Sequence, residues 1–265
     1  FERLLKYVVI PTPSDEGSGT SPSSACQFDL ANILTEEMTA LGIQDVRLDE
    51  HCYVYGRIPA TPGYESCPKL GFIAHMDTVS DYCSAPIRPV LYENYDGRDL
   101  PLGTSGRTLT VKSFPHLPDL AGRTLITSDG NTVLGVDDKA GIAEILTMAE
   151  RLRDESIPHG AISIAFTPDE EIGTGASHFD VEGFGADYAY TLDGDTEGEI
   201  QYENFNACKA DFEINGFAVH PGSRRITRAS TTSRACPGTW PPPGSTTLSG
   251  ITTSTSSRRK SKPSG

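Results

Sequence analysis

The chain has 265 residues, 37% of them hydrophobic, enough for one large domain or two modest ones around a packed core. Its 36 acidic residues against 22 basic ones give a formal net charge of −14, which argues against a nucleic-acid or anionic-membrane partner. No apolar run approaches the roughly 18–20 residues that span a bilayer, so a transmembrane helix is excluded.

The first residues, Phe1-Glu2-Arg3-Leu4-Leu5-Lys6-Tyr7, lack the apolar stretch of a signal peptide. Six scattered cysteines (Cys26, Cys52, Cys67, Cys83, Cys208, Cys236) show no C-x-x-C spacing, which speaks against a thiolate metal site or a redox dithiol. Reduced thiols and a cytoplasmic location are the expectation.

Along the chain, the spacing of Leu30, Ile33, Leu34, Met38 and Leu41 predicts a helix over residues 28–41, stopped by Gly42. Residues 70–74 form a short apolar strand that runs straight into His75-Met76-Asp77. Residues 82–129, rich in Pro, Gly, Asp and Tyr, read as a long excursion with two short hairpins. A second helix is predicted over residues 139–153, with Ile142, Ile145, Leu146, Ala149 and Leu152 as its inner stripe. Strands over 161–166 and 188–192 then lead into Asp169-Glu170-Glu171 and Asp193. Strands alternating with helices indicate an α/β sheet, and no internal repeat is present.

The composition changes abruptly at residue 224. Every acidic residue lies before Arg224, whereas the last 42 positions hold eight Lys or Arg residues, and Ser, Thr, Pro and Gly fill 27 of them. So few large apolar side chains do not offset the entropy of ordering, and residues 224–265 are expected to be disordered. One reading is a functional basic tail; the other is translation out of frame. The suddenness of the change, inside a motif that reads as folded, favours the second.

A polar, metal-competent cluster follows each of three apolar strands, and ligands bind at the carboxyl ends of strands in open α/β sheets. An exposed His-x-Asp usually does nothing. At the end of a buried strand, however, His75 and Asp77 point to one side, and Asp77 can orient the imidazole. Asp137-Asp138 sits at a loop-to-helix junction, where an N-cap needs only one carboxylate. The second suits a carboxylate bridging two cations. Glu170 and Glu171 can divide labour, one binding metal and the other moving a proton. Asp193 adds an oxygen ligand, although an Asp at a strand end is often a turn residue. Mixed nitrogen and oxygen donors without thiolate fit zinc, cobalt or manganese, and a two-metal hydrolase is the natural chemistry.

These motifs, with Ile157-Pro158-His159-Gly160 and Glu203-Asn204-Phe205-Asn206-Ala207, make the chain similar to the M20 metallopeptidase family over about residues 1–222. The resemblance implies a zinc-exopeptidase-like mixed sheet flanked by helices. Residues 1–203 would be the N-terminal part of the catalytic domain, and 204–223 the start of a lid and dimerisation domain ahead of the tail. It implies two zinc ions per subunit: His75 and Asp193 on one, Asp137 bridging both, Glu171 on the second, with Asp138 following Asp137 through a cis peptide. Glu170 would be the general base, Asp77 would orient His75, and His220 would reach a partner subunit's site in a homodimer. The implied activity is release of the N-terminal residue from short peptides such as tripeptides.

Other M20 activities, deacylase or carboxypeptidase, share this zinc shell; residues 82–129 and 204–207 favour the aminopeptidase. The family takes one more zinc ligand from a later histidine, whereas no histidine follows His220, and His51, His116, His159 and His178 lie where the family binds no metal. An impaired second site and an uncovered apolar sheet face are therefore expected. The competing expectation is a truncated, inactive product, at most a weak metal or peptide binder.

Overall fold

A computed structural model describes residues 1–83, 86–194 and 198–202, together with the backbone of residues 210–212 and 231–233. The chain divides into two units, Phe1–Glu197 and Gly198–Gly265.

In the first unit, α1 (Glu2–Val8) buries Tyr7 and Val8, and α2 (Gln27–Ala40) buries Leu30, Ala31, Leu34 and Met38. These residues recur every three or four positions, so one stripe of α2 meets the core while Thr39 and Glu36 face water. The helix matches the expected one within a residue at each end. A hairpin that the sequence reading did not assign follows, with β1 (Gln44–Leu48) antiparallel to β2 (Val54–Ile58). Strand β1 is mostly polar and outward-facing and carries an irregular register between Gln44 and Arg47, so it shows no clean alternation.

Strand β3 (Leu70–His75) leads to the excursion. There β4 (Pro89–Tyr92) pairs with β7 (Leu125–Ser128), enclosing a small ladder of β5 (Leu100–Pro101) and β6 (Thr108–Leu109) and a 3-10 turn at Leu117–Leu120. Tyr95, Leu100 and Leu117 form its own apolar cluster. The chain returns through α3 (Lys139–Asp154), β8 (Ile162–Thr167), a single turn α4 (Val181–Phe184) and β9 (Tyr188–Thr191).

The main sheet has the order β1-β2-β8-β3-β9; β2 is antiparallel to both its neighbours, and β8, β3 and β9 are parallel. Central strand β8 is buried at all six positions, as a strand covered on both faces must be. Alternation separates two clusters: Ile162, Ile164 and Phe166 pack with α2 and α3 on one face, while Ala165 joins Tyr53, Tyr55 and Phe184 on the other. In the second unit, β10 (Ala210–Phe212) pairs antiparallel with β11 (Thr231–Ser233). Strand β11 lies inside the stretch 224–265; the rest of that stretch is outside the described residues.

Candidate metal centre

Parallel register sets the geometry of the site. His75 on β3 pairs with Thr167 on β8, and Ile73 pairs with Thr191 on β9. The segments that leave β3, β8 and β9 therefore emerge side by side, carrying Asp77, Glu170-Glu171 and Asp193. The N-terminus of α3 arrives from the neighbouring layer with Asp137 and Asp138, joined by a cis peptide. Gly141 allows that approach: a Cβ built there would lie 2.3 Å from the Leu192 carbonyl oxygen and 2.6 Å from Asp138 Oδ1.

The two adjacent aspartates have separate tasks. Asp138 caps α3, accepting the Gly141 N–H at 3.0 Å on one oxygen and the His75 backbone N–H at 3.3 Å on the other. Asp137 is exposed and faces His75, its Oδ1 2.9 Å from Nε2. The His75 imidazole is only 2% exposed. Its Nδ1 lies 3.0 Å from the Asp77 carbonyl oxygen and 3.3 Å from Asp77 Oδ1, which directs Nε2 toward Asp137, Glu170 at 3.8 Å and Asp193 at 3.9 Å.

Fully buried Asp77 has a second role. Its two oxygens accept the backbone N–H groups of Glu170 at 2.9 Å and Glu171 at 3.1 Å. One carboxylate thus touches both the imidazole and the peptide that carries the glutamates.

Crowding of like charges shows in the acid–base properties. Burial alone would lower the His75 pKa, but Asp137 and Asp77 outweigh it and push it up to about 11. The same contact with His75 lowers Asp137. Burial raises Asp138 to about 8. Glu171 rises to about 7 through burial and the nearby Asp137 charge. Glu170 is also raised, by burial first and then by the Asp193, Asp77 and Asp137 carboxylates. Such a cluster is stabilised by cationic charge placed among the oxygens.

Two donor sets, His75 with Asp137 and Glu171, and His75 with Glu170 and Asp193, each have ligand atoms within 4.8 Å of one another. One imidazole nitrogen, carboxylate oxygens and no thiolate fit a borderline or hard divalent cation. Six of the seven residues singled out from the sequence therefore meet at one sheet edge: His75, Asp77, Asp137, Glu170, Glu171 and Asp193. The seventh, His220, lies outside the described residues. His51 and His178 stack on each other at 3.9 Å between ring centroids, and neither belongs to a donor set.

One contributor escaped the sequence reading. Asp169, next to the glutamates, turns inward and is 2% exposed, bonded to Ser23 and Gln27. Ser23 lies in the bend that leads into α2 and Gln27 is the first residue of that helix, so no local pattern ties either to Asp169.

The mixed sheet with an imidazole and carboxylates gathered at its parallel strand ends defines an α/β protein with a candidate metal centre. Residues 127–229 match the family described as Peptidase family M20/M25/M40. Over those residues the chain is similar to this peptidase family, and its donor sets are compatible with a metal-dependent member. It is 52% identical to peptidase T of Clostridium perfringens over 225 residues, covering 84% of this chain and 55% of that protein. Peptidase T of Desulfitobacterium hafniense is also 52% identical, over 227 residues and 85% of this chain. Among solved structures, aminopeptidase PepT from Bacillus cereus superposes with a TM-score of 0.52 at 27% identity, over 74% of this chain and 44% of that one. A tripeptidase from Staphylococcus aureus gives 0.50 at the same identity and coverage. The chain spans about half the length of the curated relatives it matches.

Proposed function

We propose that the site belongs to a zinc-dependent aminopeptidase that releases the N-terminal residue from short peptides, tripeptides in particular. The observation that carries this reading is the convergence of His75 Nε2 with the carboxylates of Asp137, Glu170 and Asp193, and of Glu171 in the first donor set. The similarity to peptidase T supports the choice of substrate.

His75 and Asp193 would hold one zinc, Glu171 a second, and Asp137 would bridge the two. Bound zinc supplies Lewis acidity toward the scissile carbonyl and activates water for attack. Glu170, whose carboxylate lies 3.8 Å from His75 Nε2, takes the proton from the attacking water and returns it to the departing amine. Asp77 keeps His75 Nε2 directed at the site and ties down the peptide of Glu170 and Glu171. Asp138, as helix cap, leaves Asp137 pointing at the imidazole.

A short peptide is the partner that the similarity to peptidase T supports. The homodimer, with His220 reaching the partner subunit's site, rests on the resemblance of residues 204–223 to the family's dimerisation domain. A cytoplasmic setting is part of the same reading; among the described residues no helix is long and apolar enough to cross a membrane.

The test is tripeptide hydrolysis by zinc-loaded protein and its Glu170→Gln variant, with zinc content measured in both. Loss of the general base should lower kcat by about 100- to 10,000-fold. Equal turnover by the two proteins at equal zinc content would overturn the assignment.

A further inference from the structure

Glu170 and Glu171 stand on a short turn, closed by Gly173 N–H to the Glu170 carbonyl at 2.7 Å and Thr174 N–H to the Asp169 carbonyl at 3.0 Å. Hydrogen bonds from the turn's own backbone do not fix how it sits on the sheet. Asp169, at its first corner, has φ of 56°, a left-handed conformation that a non-glycine residue adopts when its surroundings impose it.

Those surroundings come from far away in the sequence. Asp169 Oδ2 accepts the Ser23 backbone N–H at 2.8 Å, and Oδ1 accepts the Ser23 hydroxyl at 2.5 Å and the Gln27 side-chain amide at 2.7 Å. Ser23 Oγ in turn accepts the Asp15 N–H at 2.9 Å. Ser23, Gln27 and Asp169 are all buried. The same N-terminal segment also meets the chain that leaves β3 and the start of α3. Thr12 and Ser14 bond to Met76 and Thr78 on either side of Asp77, and the Ile10 carbonyl accepts the Lys139 ammonium at 2.6 Å, one residue beyond Asp138.

We infer that Ser23 and Gln27 are positioning residues for Glu170 and Glu171, acting through the Asp169 carboxylate. Asp77 holds the glutamate peptide from the site side and the Ser23–Gln27 pair holds it from behind. With both clamps in place, the two glutamates are fixed relative to His75, and placement errors of about 1 Å at such a centre cost heavily in rate. The inference rests on the peptidase reading for what the glutamates do, but the placement itself can be measured without turnover.

The experiment uses the full chain with Ser23→Ala, Gln27→Leu and the conservative Ser23→Thr. Amide hydrogen exchange is followed at Glu170 and Glu171 and, as an internal reference, along α3; zinc affinity is measured by competition with a chromophoric chelator. Ser23→Ala and Gln27→Leu should each speed exchange at the two glutamate amides by about tenfold, weaken zinc binding, and leave the α3 amides unchanged. Ser23→Thr, which keeps the hydroxyl, should restore wild-type exchange and zinc affinity. Unchanged exchange at Glu170 and Glu171, or an equal rise along α3, would overturn the inference. Tripeptide hydrolysis by wild-type protein is assayed in parallel: its absence would count against the peptidase reading while the exchange result still decides the positioning role.

Discussion

The carboxylate of Asp77 accepts the backbone N–H of Glu170 at 2.9 Å while its Oδ1 lies 3.3 Å from His75 Nδ1. Oδ2 accepts the Glu171 N–H at 3.1 Å, so an asparagine would turn an amide N–H either to Glu171 or, in the flipped orientation, to Glu170 and His75, where an acceptor is needed. Asp77→Asn should therefore loosen both the imidazole and the glutamate turn. Partners behind metal ligands typically contribute about 10- to 100-fold in metal affinity or activity. Zinc titration and steady-state kinetics should both register a loss of that size, and wild-type affinity in the variant would sink the positioning role of Asp77.

Gly141 offers a test of how tightly α3 must dock. A methyl group there meets the Leu192 carbonyl oxygen at 2.3 Å, and backbone cannot step aside as a flexible side chain does. Gly141→Ala would ordinarily favour a helix, yet here overpacking should destabilise the fold by about 1–3 kcal/mol. Because Leu192 adjoins Asp193, zinc binding should weaken as well. Thermal unfolding and zinc titration check both; a raised Tm would show that the contact relaxes freely.

Acid stability should depend on Glu37. Burial works against its charge, but hydrogen bonds from Arg3 at 2.5 Å and Lys6 at 2.9 Å prevail and hold its pKa below the ordinary carboxylate value. Arg3 also reaches Thr147 and Glu150 on α3, so the group ties α1 to α2 and α3. A depressed folded pKa means that the unfolded chain binds more protons in acid. The stabilisation is complete above the unfolded value of about 4.3 and is lost as pH falls through the folded pKa. Glu37→Gln should cost about 1 kcal/mol at neutral pH and flatten part of that acid loss. Denaturant titrations between pH 7 and pH 3 give the comparison.

Divalent cations should stabilise the fold, since they bind the folded site and relieve repulsion among its carboxylates. Zinc at about a hundred times its dissociation constant would contribute about 2.7 kcal/mol, a rise in Tm of roughly 5–10 °C for a domain of this size. A chelator should reverse the rise, and His75→Ala should abolish the zinc-dependent shift whatever its own baseline. A zinc shift that survives His75→Ala would place the ion elsewhere.

Much of this architecture was legible in the residues because strong local signals agree. The α2 and α3 stripes have helical spacing; α2 differs from its expected limits by a residue at each end, while α3 starts where expected and runs one residue further. Strands β3, β8 and β9 are short apolar runs broken by acids, so the sheet and the residues at its edge could be read together. The β1–β2 hairpin was not, because only Val46 and Leu48 of β1 turn toward the core and its register is irregular, which leaves too short an alternation to mark a strand. The excursion was read as two hairpins, and only long-range pairing shows that β4 closes on β7 around the smaller ladder.

Residue identity and order alone put the available chemistry in view: one imidazole and a set of carboxylates, most of them where an apolar strand stops and one pair ahead of a helix, with no C-x-x-C pair among the cysteines. What each acid does was decided in three dimensions. Asp138 became a helix cap because α3 starts at Lys139, which leaves Asp137 facing the imidazole, and Asp169 turned inward because Ser23 and Gln27 wait for it across the fold. Asp77 gained two backbone partners because parallel register brings β3 and β8 to the same level. Local pattern reports propensity and burial, whereas a hydrogen bond between residues more than a hundred positions apart exists only once packing has brought them together.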